Sequence, residues 1–73
     1  MNLVWEKSGE NFHATIEDDI GQPVWHLIVE PIPTGGYDWA VWRPGEDPSR
    51  AAHGHAGTRP AAMWDAERAA RSR

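Results

Sequence analysis

Chain-reversing residues cut the first 47 positions into four short pieces, and this punctuation constrains the fold more than any other feature. Ser8-Gly9-Glu10, Asp18-Asp19-Ile20-Gly21-Gln22-Pro23, Pro31 to Gly36, and Pro44-Gly45-Glu46-Asp47-Pro48 gather the glycines, prolines and acids that favour turns. The pieces between them read as strands. Leu3 to Lys7 leads into Asn11 to Glu17, where Phe12, Ala14 and Ile16 fall on one side, so the pair reads as a β-hairpin. Val24 to Glu30 is the strongest strand, with Val24, His26 and Ile28 on one face and Trp25, Leu27 and Val29 on the other. Apolar groups on both faces are expected of a central strand whose two sides are at least partly covered. Tyr37 to Arg43 alternates again, placing Tyr37, Trp39 and Val41 opposite Asp38, Ala40 and Trp42. The first strand is the least defined, because Leu3-Val4-Trp5 puts apolar groups on both faces and leaves the segment open to fraying.

Beyond Arg43 the pattern changes. Residues 44–57 are dense in breakers and read as a flexible loop that contains Arg50 and His53-Gly54-His55. Thr58 then suits a helix N-cap, and Pro60 suits the first turn, where a missing backbone N–H costs nothing. The helix runs to about Ala70. Ala62, Met63, Ala66, Ala69 and Ala70 share one arc of it, a small-residue stripe able to lie close against a sheet, while Trp64 falls opposite with Arg68 and Arg71. The expectation is an α+β fold, ββββα: a three- or four-stranded antiparallel meander with one C-terminal helix on one face. That face carries Leu3, Trp5, Phe12, Ala14, Ile16, Trp25, Leu27, Tyr37, Trp39 and Val41. With 73 residues, the chain closes one core and forms a single domain, 1–73.

The stretch from Trp39-Ala40-Val41-Trp42-Arg43, through a glycine-bearing loop, to Gly57-Thr58-Arg59-Pro60-Ala61-Ala62-Met63-Trp64-Asp65-Ala66-Glu67-Arg68-Ala69 resembles small bacterial and phage-borne proteins. In those proteins an antiparallel sheet ends in a W-x-V-x-R strand and is followed by a capped, alanine-spaced C-terminal helix. The resemblance covers less than half the chain. Families of this kind are mostly uncharacterised or are accessory proteins of mobile elements, so the resemblance carries over no catalytic residue.

Charge divides the chain. Residues 1–47 hold nine carboxylates against Lys7 and Arg43, whereas 48–73 hold five arginines against Asp65 and Glu67, and the whole carries −4. An acidic body argues against a protein built chiefly to neutralise phosphates. No cysteine is present, which removes disulfides, thiol nucleophiles and CxxC zinc sites. No run approaches the roughly 20 apolar residues of a membrane span, so no membrane partner is expected. The N-terminus lacks a basic-then-apolar leader, which makes a cytoplasmic location the expectation.

Motifs for chemistry are sparse. His53-Gly-His55 would project both imidazoles to one side of an extended segment, but no third ligand lies nearby, and they read as solvent-exposed loop histidines with no metal. Glu17-Asp18-Asp19 and Glu46-Asp47 lack the alternating oxygens of a calcium loop and read as solvated turns. Ser8, Ser49 and Ser72 sit in no nucleophile setting, so no catalytic residue, no cofactor and no enzymatic activity are expected.

Tryptophan is the informative excess: five, beside one Phe and one Tyr. Trp5, Trp25 and Trp39 read as core. Trp42 alternates to the uncovered face, where His13, Val24, His26 and Ile28 make an apolar and imidazole patch of the kind that binds proteins. With Trp64 and Arg68 these form the candidate protein-binding site of a small acidic interaction module. An adaptor, an inhibitor or a mobile-element accessory protein would each suit, docking a protein partner or dimerising through the open sheet face. The alternative is a single-stranded nucleic-acid-binding domain, with sheet tryptophans stacking bases while Arg59, Arg68, Arg71 and Arg73 hold the backbone.

Overall fold

The first hairpin forms over its whole length: β1 (Asn2–Ser8) pairs antiparallel with β2 (Asn11–Glu17), from Asn2↔Glu17 to Ser8↔Asn11. It belongs to a computed structural model that describes residues 2–47 and 51–72. No fraying of β1 is seen. β3 (Pro23–Pro31) and β4 (Tyr37–Trp42) follow, each antiparallel to the strand before it. The turn into β3 uses one of the acids: Asp18 Oδ1 accepts from the backbone N–H of Ile20 at 3.0 Å and of Gln22 at 2.9 Å. A short side-chain acceptor closing its own turn is what makes aspartate a turn former.

The segment 44–57, read from its breakers as a loop, contains a fifth strand. β5 (Ala52–Ala56) pairs antiparallel with β4, from Tyr37↔Ala56 to Val41↔Ala52, and the sheet order is β1-β2-β3-β4-β5. Pro48, Ser49 and Arg50 of that segment lie outside the described residues. The strand count is therefore five rather than three or four, within the expected α+β class. Alanine and glycine are weak strand formers, so Ala-His-Gly-His-Ala carries little strand signal of its own. Its small side chains are what the site requires. Trp39 lies against Gly54, its register partner, and a Cβ at Gly54 would sit 2.6 Å from Trp39 Cζ2. Gly36 is constrained twice: its φ is +82°, and a Cβ there would lie 2.6 Å from the His55 ring and 2.8 Å from the Ala56 carbonyl oxygen.

Helix α1 (Arg59–Arg71) closes the fold. Thr58 caps it, its hydroxyl accepting from the Ala61 N–H at 3.3 Å, and Arg68 and Arg71 occupy the last turn, where cations complement the helix dipole. Ala62, Ala66 and Ala70 are buried one turn apart. Without bulk on this stripe, α1 can approach closely, and it packs on β3, β4 and β5. Beneath it lie Leu27, Val29 and Val41, the largest fully buried side chains, with Trp25, Ile16 and Ala14 extending the core toward β2. Every strand residue assigned to the helix-covered face from alternation lies there by register, joined by Val29, Gly54 and Ala56. Among the described residues, no helix is long and apolar enough to cross a membrane.

Candidate functional site

Register builds the open face in rows. One row runs Val4–Thr15–His26–Trp42 across β1 to β4, and the next runs Glu6–His13–Ile28–Ala40–His53 across all five strands. A third begins on β3 as Glu30–Asp38–His55. Trp42, His26, Ile28 and His13 thus stand together on the face opposite α1, as alternation predicts. The Trp42 indole lies against the His26 imidazole, ring centroids 5.6 Å apart and tilted by 35°. His26 in turn has its Nδ1 3.5 Å from the Thr15 hydroxyl, so the anchor rests on a ring that is itself braced. Trp42, His26 and Ile28 are half-buried, whereas Val4 at one end of the first row is 67 % exposed.

Val24 behaves differently. It stands beside the bulge at Ile16/Glu17, where the pairing of β2 with β3 shifts, and it packs half-buried against the core cluster. Its side chain supports the scaffold more than the free centre of the patch.

Trp64 and Arg68 do not join this patch. They lie on α1, and α1 is on the other side of the sheet, so no single partner surface contains both them and Trp42. The expected pairing between them is present: Trp64 is 59 % exposed, and the Arg68 guanidinium sits 4.7 Å above its ring. Trp64 borders a second depression, floored by Trp5 and Phe12 and walled by Arg59, Pro60, Met63 and Glu67, whereas Arg68 lines the other flank of α1 with Trp39 and Asp65. Sequence reading assigned Trp5 and Phe12 to the covered face and gave them no binding role. The missing information was the lateral position of α1, which periodicity does not carry.

All four histidines share the open face. His53 and His55 are exposed, as expected, but they belong to β5 rather than to a loop. His13 and His53 stand in the same row but three strands apart, about 14 Å at ordinary strand spacing, which is too far for one ion. His55 Nδ1 pairs with Asp38 Oδ1 at 3.2 Å, both side chains being more than half exposed, and its ring lies against Gly36 just before the start of β4. Among the described residues, no group of three or more His, Asp or Glu side chains could hold a metal ion. The depression between β3 and β5, about 480 Å³ and lined by Ile28, Glu30, Asp38, Ala40, His53 and His55, is a shallow acidic and imidazole-rimmed surface.

Charge separates the two sides. The open face carries Glu6, Glu17, Glu30 and Asp38, and no Lys or Arg among the described strand residues shares it. Lys7 pairs with Phe12 on the other face, and the Arg43 guanidinium stacks 4.8 Å from Trp25, also on that side. Arg59 reaches from the start of α1 to lie 4.8 Å over the Phe12 ring. In comparisons with protein-family models, curated proteins and solved structures, nothing matches this chain.

Proposed function

We propose that this chain is a small acidic protein-interaction module that docks a protein partner through the open face of its sheet, with Trp42 as the anchor. The observation that carries the reading is the composition of that face. Trp42, His26, Ile28 and Ala40 adjoin one another in two rows, Trp42 at the end of β4, and Glu6, Glu17, Glu30 and Asp38 lie around them. An aromatic anchor within an apolar centre and a polar rim is the anatomy of a binding surface. The rim charge selects for a partner with basic groups around an apolar spot and speeds the encounter with it. Two copies face to face would set each carboxylate rim against its own image, which disfavours dimerisation by this route.

Charge placement also weighs against the nucleic-acid alternative. Its stacking residue, Trp42, shares a face with carboxylates, while Arg59, Arg68 and Arg71 belong to the opposite side; Arg73 lies outside the described residues. Stacking and phosphate contacts need to converge on one strand of nucleic acid. The role of a mobile-element accessory protein, implied by the resemblance of the C-terminal half, fits a docking module equally well.

The test is an affinity capture from lysate of the native host, with and without nuclease, comparing the unaltered chain with a folded Trp42→Ala variant. Amide exchange on the captured complex locates the contact. Recovery of a nuclease-resistant protein that is lost with Trp42→Ala and protects β3 and β4 supports the reading. Recovery of nucleic acid, or protection confined to the helix side, overturns it.

A further inference from the structure

The helix layer of this fold is half-filled. Five strands about 4.8 Å apart place the outer backbones roughly 19 Å from each other, whereas one helix with its side chains is about 10 Å across. α1 packs on β3, β4 and β5, so a strip one helix wide remains above β1 and β2. That strip is apolar: Leu3, Trp5 and Phe12 are half-buried along its floor, Met63 faces it from α1, and Trp64 stands exposed at its margin. Its rim is basic. Arg59 lies over Phe12, Arg68 lies over Trp64, and Lys7 sits beside Phe12 in the register. The acids are Glu67, which lines the groove and lies 3.9 Å from Arg71, and Glu10, which shares a depression with Lys7 and Arg59 at the hairpin turn.

We infer that the groove between α1 and the β1–β2 hairpin is a second docking site, and that its occupant is an amphipathic helix with acidic residues flanking its apolar stripe. Width and charge carry the choice. A helix lying alongside α1 would complete the layer, and α1 itself, of 13 residues, offers a wall about 20 Å long, enough for some four turns of the partner. Carboxylates beside the partner's stripe would meet Lys7 and Arg59, with Arg68 further out over Trp64. A second copy of this chain is a poor occupant: the outer face of its α1 brings Trp64, Arg68 and Arg71, setting arginine against arginine. Its open sheet face is acidic but far wider than the strip. The site is independent of the Trp42 face, so either can fail without the other.

The test uses the purified chain and a displayed library of one helical peptide. The peptide carries Leu at i, i+3, i+4 and i+7, with the flanking positions varied among Glu, Gln and Lys. Selection is expected to enrich Glu at the flanks, and the selected peptide should shift amide resonances of Trp5, Phe12, Met63 and Trp64 while leaving Trp42 unmoved. Arg59→Glu/Arg68→Glu, both exposed positions, should weaken it about tenfold and favour the Lys-flanked peptide, and Trp64→Ala should weaken it as well. Four results overturn the inference: no enrichment, enrichment of Lys, shifts centred on Trp42, or groove resonances that move on dilution of the chain without peptide. The last would make a second copy the occupant.

Discussion

The open sheet face and the groove beside α1 are both centred on tryptophan, yet they are built in different ways. On the open face the apolar centre comes from strand register alone: His26 faces Trp42, Ile28 faces Ala40, and every carboxylate on that face follows from the same alternation. In the groove the floor belongs to the strands and the wall to the helix, so its existence depends on where α1 comes to rest. The first surface is acidic at its margin and the second basic. A chain of −4 charge therefore presents two sides of opposite character, and its net charge describes neither. The lesson is that partner chemistry in a small two-layer domain is read from face and register rather than from overall composition.

Substitutions can break the two surfaces together or one at a time. Leu27→Ala removes a fully buried side chain beneath both and should cost about 2–5 kcal/mol, seen as a fall in the urea midpoint. For a domain of this size that is a large part of the total stability, and both binding activities should fall together. Gly54→Ala drives a Cβ into the Trp39 indole on the helix side and should cost about 1–3 kcal/mol, with altered tryptophan fluorescence and little change at Trp42. If Trp42 resonances move as far as those of α1, the two sides are coupled more tightly than their geometry implies.

Trp42→Ala strips the half-buried anchor of the open face and should cost about 1–2 kcal/mol by chemical denaturation. Peptide binding in the groove should be unaffected. Thr58→Ala removes the hydroxyl that caps α1 and should cost about 1 kcal/mol, with the loss concentrated in amide exchange of the first helical turn. Because α1 forms one wall of the groove, this variant should loosen groove binding while sparing the open face. A similarly small effect, about 1 kcal/mol, is expected from Arg59→Glu/Arg68→Glu, since both side chains are exposed but each gives up a cation–π contact. Its consequence for binding should appear only in the charge preference of the groove.

Much of this arrangement is legible in the chain. The alternation of Phe12, Ala14 and Ile16, then of Trp25, Leu27 and Val29, assigns the covered face without error, because one face is dry and a slip of one residue would expose all of it. The alanines at 62, 66 and 70 announce a helix in close contact, and Trp64 with Arg68 announces its outer side. β5 is the clearest omission. Its alternation of small residues with His53 and His55 is a signal of period two, but the segment has weak strand propensity and follows a run of breakers, so local features read as a loop. Pairing with β4 supplies what local propensity lacks, and the small residues matter because Trp39 and α1 lie over them. Grouping Trp64 and Arg68 with Trp42 reflects the same limit: two tryptophans that alternation and helical spacing place outside the core look alike in a sequence although a whole sheet separates them.

The amino-acid pattern by itself determined the first four strands to within a residue at each end, the helix with its cap, and the side of the sheet on which strand residues fall, Val24 at the bulge excepted. These depend on local turn chemistry and on the burial of one face, which act over a few residues at a time. Tertiary structure alone decided that a fifth strand completes the sheet, that the four histidines share a face, and that α1 stands over β3 to β5 and leaves β1 and β2 half-covered. Those outcomes turn on which small side chains let a helix and an indole approach the sheet, a property of contacts between distant segments that no single stretch of the chain contains.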